Sequence, residues 1–257
     1  MQKSRPWYEG PIASFDTETT GVDVEHDRIV SAALVLQSAP GSAPATTTWL
    51  ADPGVPIPEG ARAVHGISDE HARAHGRPPR AVVSEIARAL AELSLAGVPL
   101  VVMNAPYDLT LLDRELRRHR GGSLGEALGG TELLVLDPRV LDKHVDRYRK
   151  GRRTLTDLCA HYGVRLTGAH EAAADATAAL DLVRALGVRH PERLGALSVP
   201  ELHVRQAVWH AAQARGLQDW FDREGTAERV DTAWPLRPAR CGCGRPLTTE
   251  HRCEAAA

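Results

Sequence analysis

Ser14-Phe15-Asp16-Thr17-Glu18-Thr19-Thr20-Gly21 is the stretch from which the fold and chemistry of this chain can be worked out. Pro11 to Asp16 reads as a strand that delivers two acids. Side chains alternate across a strand, so Asp16 and Glu18 point to one face while Phe15 and Thr17 point to the other. Exposed acids capping a strand end would look the same in isolation. Thr19, Thr20 and Gly21 add a small turn that leaves room for a substrate backbone to approach. Carboxylates gathered in one place repel one another unless cations lie between them. Oxygen-only ligands suit Mg²⁺ or Mn²⁺ in preference to zinc.

Two distant segments supply partners. In Asn104-Ala105-Pro106-Tyr107-Asp108 the acid follows an apolar strand, Pro99 to Met103, where the chain turns into a helix. That is the edge where α/β sheets place their sites. Alone, Asp108 reads as a helix N-cap or first-turn acid; the other motifs make it a ligand candidate. In His170-Glu171-Ala172-Ala173-Ala174-Asp175 the outer pair is five apart, about 140° on a regular helix. Asp175 is therefore placed on the helix and His170 on the loop before it, where Gly168 helps the turn. Histidine suits proton transfer from water near neutral pH. The chemistry such a site most often carries is phosphodiester cleavage by two metal ions.

Around these motifs, Arg28 to Gln37 and Thr46 to Leu50 read as strands, completing a meander. Pro53, Pro56, Pro58 and Gly60 mark an exposed loop. Arg80 to Leu95 carries Val83, Ile86, Leu90 and Leu93 at helical spacing. Helices are expected from Tyr107 to His119, Leu155 to Tyr162, Glu171 to Leu186 and Val199 to Asp222. The glycine-rich stretch from Gly121 to Gly130 reads as loop, and Leu133 to Leu136 as a short strand. Strands followed by alternating strands and helices argue for a mixed α/β sheet. The expected organisation is a catalytic domain over 1–187, a helical extension over 188–234 and a tail over 235–257.

The chain has 257 residues, a formal net charge of −2 and a pI near 6.6, so no bulk attraction to nucleic acid exists. Local clusters must serve instead: Arg114, Arg117, Arg118 and Arg120, then Lys143 to Arg153. Lysine occurs only at positions 3, 143 and 150. No run approaches the roughly 20 apolar residues of a membrane span, and no signal-peptide stretch follows Met1. With four cysteines, three of them at the C-terminus, a reduced cytoplasmic protein with no membrane association is expected.

Jointly the three acidic segments resemble the DEDDh family of 3′–5′ exonucleases, to which a polymerase III proofreading subunit, ribonuclease T and oligoribonuclease belong. The resemblance covers roughly residues 10 to 187 and includes Val64-His65-Gly66-Ile67. It implies an RNase H-like fold: a mixed five-stranded sheet flanked by helices, here with a C-terminal helical extension and a cysteine-containing tail. It also implies two Mg²⁺ or Mn²⁺ ions. Asp16, Glu18 and Asp175 would hold one, Asp16 would bridge to the second, and Asp108 would assist through water. His170 would be the general base. Thr17, Thr19, His65 and Asn104, within or beside these motifs, are the candidate substrate contacts. Two positions depart from the family pattern. Met103 stands where histidine is usual and Tyr107 where phenylalanine is usual; both read as packing positions.

In the tail, Cys241-Gly242-Cys243 and His251-Arg252-Cys253 offer three thiolates and an imidazole. A closed structural zinc site and a tail with reduced thiols both fit that pattern. Trp209, Trp220 and Phe221 are expected to pack against the catalytic domain rather than to stack on bases. The functional expectation is a metal-dependent 3′–5′ exonuclease on single-stranded ends, DNA by preference, releasing nucleoside 5′-monophosphates. An exoribonuclease of the RNase T or oligoribonuclease kind is one alternative, and a catalytically silent nucleic-acid-binding or polymerase-associated module another. A proofreading role would require a separate DNA polymerase or another replication or repair protein as partner.

Overall fold

The structure, a computed structural model, describes residues 5–239. Cys241, Cys243, His251 and Cys253 lie outside the described residues. Ile12, Ala13, Ser14 and Phe15 are buried whichever way they point, and they open β1 (Ile12–Thr19). β1 runs antiparallel to β2 (Ile29–Gln37), which pairs in the same sense with β3 (Ala45–Leu50). Then come α1 (Glu59–His65), α2 (Asp69–His75) and α3 (Pro79–Leu95). β4 (Leu100–Val101) returns parallel to β1, and α4 (Asp108–Arg120) with the short α5 (Leu124–Ala127) leads to β5 (Val135–Leu136), parallel to β4. Among the described residues four α-helices follow: α6 (Pro138–Val145), α7 (Leu155–Tyr162), α8 (Ala172–Arg189) and α9 (Val199–Glu224), with a short π-helical turn over Pro191–Gly195 between the last two. The sheet order β3-β2-β1-β4-β5 is the mixed, helix-flanked five-stranded arrangement that the sequence predicts.

Strand alternation divides the core in two. Ala13 and Phe15 face α3 and α4, meeting Ile86, Leu90, Leu109 and Leu112. Ile12 faces the opposite layer, meeting Leu158 on α7 and Ala176, Leu180 and Val183 on α8. Alanines along α8 let that helix lie close against β1 and β2. No helix among the described residues is long and apolar enough to cross a membrane.

Several expectations are corrected. β1 does not stop at Asp16 but continues to Thr19, with a register shift between Glu18 and Thr19. The loop expected around Pro53 to Gly60 ends in α1, whose first turn starts directly after Pro58, and Ser68 caps α2 by accepting the His71 N–H. The stretch from Gly121 to Gly130 contains α5, closed by a Ser123–Glu126 capping box. α6 was not expected at all.

The segment over 188–234 packs directly on the sheet. β5 is an edge strand, and α9 lies along it. Gln206 accepts the Asp137 N–H (2.7 Å) and donates to the Val135 carbonyl (3.0 Å), while His203 Nδ1 accepts the Val135 N–H (3.0 Å). Side chains thus satisfy the backbone groups that a missing neighbour strand would have taken. Beyond α9 the chain crosses α4: Arg237 N–H donates to Thr110 Oγ1 at 2.8 Å, and Arg114 donates to the Pro238 carbonyl at 3.0 Å.

Candidate active site

Asp16 lies opposite Ala33 and Glu18 opposite Ser31, so both acids sit within the paired strand. The period of two puts them on the Ile12 face, toward α8. There Asp175, in the first turn of α8, joins them: one oxygen from each of Asp16, Glu18 and Asp175 lies within 4.8 Å of the other two. Asp108 opens α4 on the other side of β1, where Thr17 points. Thr17 donates to Asp108 Oδ1 through its N–H at 3.1 Å and its hydroxyl at 2.6 Å.

These carboxyls resist ionisation. Asp16 is held well above the usual carboxylate range by burial first, then by the charges of Asp108, Asp175 and Glu18. Burial and then Asp175 and Asp108 push Glu18 up to about 8. Burial lifts Asp108 to about 7 against the opposing hydrogen bonds from Thr17. Asp175 is raised by burial, with the His170 amide pulling the other way. Asp175 Oδ1 is buried without a hydrogen-bond partner among the described residues. Crowded oxygen donors, one of them orphaned, fit a divalent hard cation.

His170 lies on the loop just before α8, as its spacing from Asp175 requires. It and Asn104 are the two non-glycine residues with positive φ among those described, at 71° and 64°. Such backbone is costly, by about 1–3 kcal/mol, and persists where surroundings enforce it. The His170 N–H donates to Asp175 Oδ2 (3.2 Å), and its ring is exposed. Asn104 is enforced by a residue that the sequence reading missed. Asp137, 1% exposed, accepts the N–H groups of Asn104 (3.1 Å), Ala105 (3.0 Å) and Arg139 (2.9 Å). It thereby fixes the turn that delivers Asp108. The signal was present: Asp137-Pro138 after an apolar strand is a helix start, with proline at the first helical position.

The candidate substrate contacts fare differently. The hydroxyls of Thr17 and Thr19 are engaged within the protein, Thr17 with Asp108 and Thr19 with Gly21 and Tyr107. Tyr107 is more than packing, because its hydroxyl reaches both Thr19 Oγ1 and the Gly21 carbonyl at 2.6 Å. The space beside Gly21 is filled by the Asp27 carboxyl, 2.5 Å from where a Cβ would stand, so no substrate backbone passes there. His65 Nδ1 accepts the Ile67 N–H (3.1 Å), and Asn104 Oδ1 accepts from Arg139 (2.9 Å).

Neither expected arginine cluster is free as a whole. Arg114 and Arg117 each meet Asp113 at 2.7 Å, Arg114 also meets Glu25 at 2.8 Å, and Arg118 pairs with Glu115. Arg149 and Arg153 turn inward to the fully buried Asp142, at 3.3 and 2.6 Å. Trp209 stacks on His144 with centroids 3.6 Å apart and joins the core, as expected for packing. Trp220 does not pack in that way; it is 47% exposed.

With this geometry in view, similarity to known proteins is informative. A family model described as an exonuclease, RNase_T, matches residues 14–183. The epsilon subunit of DNA polymerase III from Treponema pallidum is 28% identical over 188 residues, covering 72% of this chain and 80% of that protein. A PolC-type DNA polymerase III from Lacticaseibacillus paracasei is 26% identical over 200 residues, 78% of this chain, but the match spans only 13% of that longer protein. Among solved structures, exonuclease I superposes with a TM-score of 0.59 at 18% identity, over 71% of this chain and 42% of that one. E. coli exonuclease I in complex with a dT13 oligonucleotide gives 0.56 at 20% identity, covering 71% and 42% of the two chains.

Proposed function

As the chain belongs to the RNase_T exonuclease family and carries the DEDDh set of residues, we propose that it is a divalent-cation-dependent 3′–5′ exonuclease that trims single-stranded DNA and releases nucleoside 5′-monophosphates. The observation that carries this reading is the meeting of Asp16, Glu18 and Asp175 oxygens within 4.8 Å, with His170 on the adjoining loop. Bound cations would supply charge neutralisation at the phosphate and a lowered water pKa. Asp16, Glu18 and Asp175 would hold them, with Asp16 shared between two. Asp108, fixed by Thr17, would contribute from the opposite side through water. His170, exposed and positioned through the bond from its own N–H to Asp175, would accept the proton of the attacking water. Support for DNA comes from the polymerase III relatives and from exonuclease I having been solved with a dT13 oligonucleotide. The epsilon-subunit relative favours work beside a DNA polymerase.

The test is side-by-side digestion of end-labelled single-stranded DNA and RNA, in Mg²⁺ and in EDTA. Stepwise shortening from the 3′ end in Mg²⁺ alone, faster on DNA, is expected. Undiminished digestion in EDTA, or cutting of a circular single strand, overturns the reading.

A further inference from the structure

One large cleft is not used by the chemistry above. It encloses about 900 Å³, near the top of the roughly 300–1,000 Å³ range of ligand pockets. Asn104 and Pro106, from the turn that leads into Asp108, are among its lining residues. One wall carries Arg139 and Lys143 of α6, then Arg147 and Tyr148 of the following loop; α9 forms another with Trp209 and Trp220. Asn104 and Arg139 also line a smaller hollow of about 500 Å³ reaching Arg152 and Thr154. Asn104 and Asp137 lie just past β4 and β5, which run parallel to β1, so the cleft reaches the same end of the sheet as Asp16 and Glu18.

Its chemistry is cationic and aromatic. Arg139 and Lys143 are one helical turn apart on α6. Lys143 and Arg147 enter no ion pair among the described residues, unlike the neighbouring Arg149 and Arg153, which share Asp142. Burial and the Arg153 and Arg147 guanidiniums lower the Lys143 pKa, a sign that positive charge is crowded here. Tyr148 is 86% exposed with Arg147 over its ring at 5.6 Å, and Trp220 is 47% exposed. Acids also line the cleft. Asp137 is turned to backbone N–H groups, and Glu228 and Asp231 lie on the segment after α9. Unpaired cations with exposed rings are what a single strand needs: phosphates meet the cations and bases stack on the rings.

We propose that this α6–α9 cleft is the track that holds a single-stranded nucleic acid on the 5′ side of the nucleotide being removed, Lys143 and Arg147 gripping phosphates and Trp220 and Tyr148 stacking bases. The proposal rests on the nuclease reading for its direction. On a chain of net charge −2, it also says where the grip comes from.

The test uses the full chain in EDTA, so that no cleavage intervenes, with 5′-fluorescein oligothymidylates of three and twelve nucleotides and anisotropy as the readout. The twelve-mer should bind at least about tenfold tighter than the three-mer, since it alone reaches the track. Lys143→Ala/Arg147→Ala should erase most of that advantage and reduce the slope of log K against log salt by about 1.4, at about 0.7 per phosphate contact on a single strand. Trp220→Ala should weaken the twelve-mer by roughly 5- to 150-fold, the loss of one stacked base, while leaving the salt slope in place. The charge-preserving Lys143→Arg/Arg147→Lys should retain the affinity, which separates charge from misfolding. Equal affinity for both lengths, or wild-type affinity and slope in the alanine variant, overturns the track and leaves the cleft to a protein partner. Trimming in Mg²⁺ is measured separately: its absence with the track intact defeats the nuclease reading, and its presence with no track defeats this proposal alone.

Discussion

At the scale of single residues, the site works by holding together groups that repel. Asp16, Glu18 and Asp175 crowd one face of β1, with Asp108 close enough to be felt from the other. Replacing one carboxylate should have opposite effects on function and stability. Asp175→Asn should lower the hydrolysis rate by at least about 10³-fold, since a positioned cation supplies several kcal/mol. The same change relieves repulsion, so the thermal midpoint in EDTA should stay level or rise. A variant that keeps its activity, or that unfolds in EDTA at a much lower temperature, would contradict this account. His170 makes a different prediction. His170→Ala should cost roughly 10²–10⁴-fold in rate, the usual worth of a positioned base, while cation binding by calorimetry persists. An unchanged pH–rate profile in that variant would place the base elsewhere.

At the scale of elements, α9 closes the sheet through polar side chains on its buried face. Gln206→Ala would leave the Asp137 N–H and the Val135 carbonyl unpaired at a buried edge. Each unsatisfied group costs about 1–3 kcal/mol, so urea unfolding should report a loss in that range or above. Because Asp137 also carries the turn before Asp108, activity should fall too; a stable, fully active variant would show that α9 is dispensable to the edge. This helix also marks what the sequence could and could not disclose. β1 and β2 were legible as apolar runs buried on both faces, α3 by its apolar periodicity and α8 by its alanine-rich run. The packing of α9 on β5 was not, because His203 and Gln206 look like a solvent face until their backbone partners are known. The acids of the site were legible as types in a spacing, whereas Asp137 was hidden, acting through backbone N–H groups rather than through a motif. Charges misled where sign alone was counted. Arg114, Arg117 and Arg118 lie within four residues of Asp113 or Glu115, and these acids claim them.

At the scale of the whole molecule, the carboxylate cluster ties folding to cations and pH. Asp108 and Glu18 have folded-state values raised to about 7 and about 8, above the ordinary values near 4. The folded, cation-free protein therefore holds protons that the unfolded chain has already released. The stability these two groups contribute is fully present below their unfolded values and is lost as pH rises through the folded ones. Six histidines that burial holds below their ordinary value act in the opposite sense over the same range, so the carboxyl contribution is read by comparison: in EDTA the thermal midpoint should fall, relative to that of Glu18→Gln, between about pH 5 and about pH 8. Saturating Mg²⁺ should raise it and flatten the slope, because the ion binds the folded state alone. A midpoint that climbs relative to that of Glu18→Gln over that interval in EDTA, or that ignores Mg²⁺, would rule this linkage out.

The cationic wall of the cleft has a practical side. Lysine occurs at only three positions in the chain, 3, 143 and 150, and the Lys143 amine titrates below the ordinary lysine value. A lowered value leaves more free amine at neutral pH than an ordinary lysine has, which raises the reactivity of Lys143 toward an acylating reagent. The mark at Lys143, resolved from other amines by peptide mass, would then footprint the wall directly. Modification there should slow when the protein is saturated with oligothymidylate, without any residue having been changed.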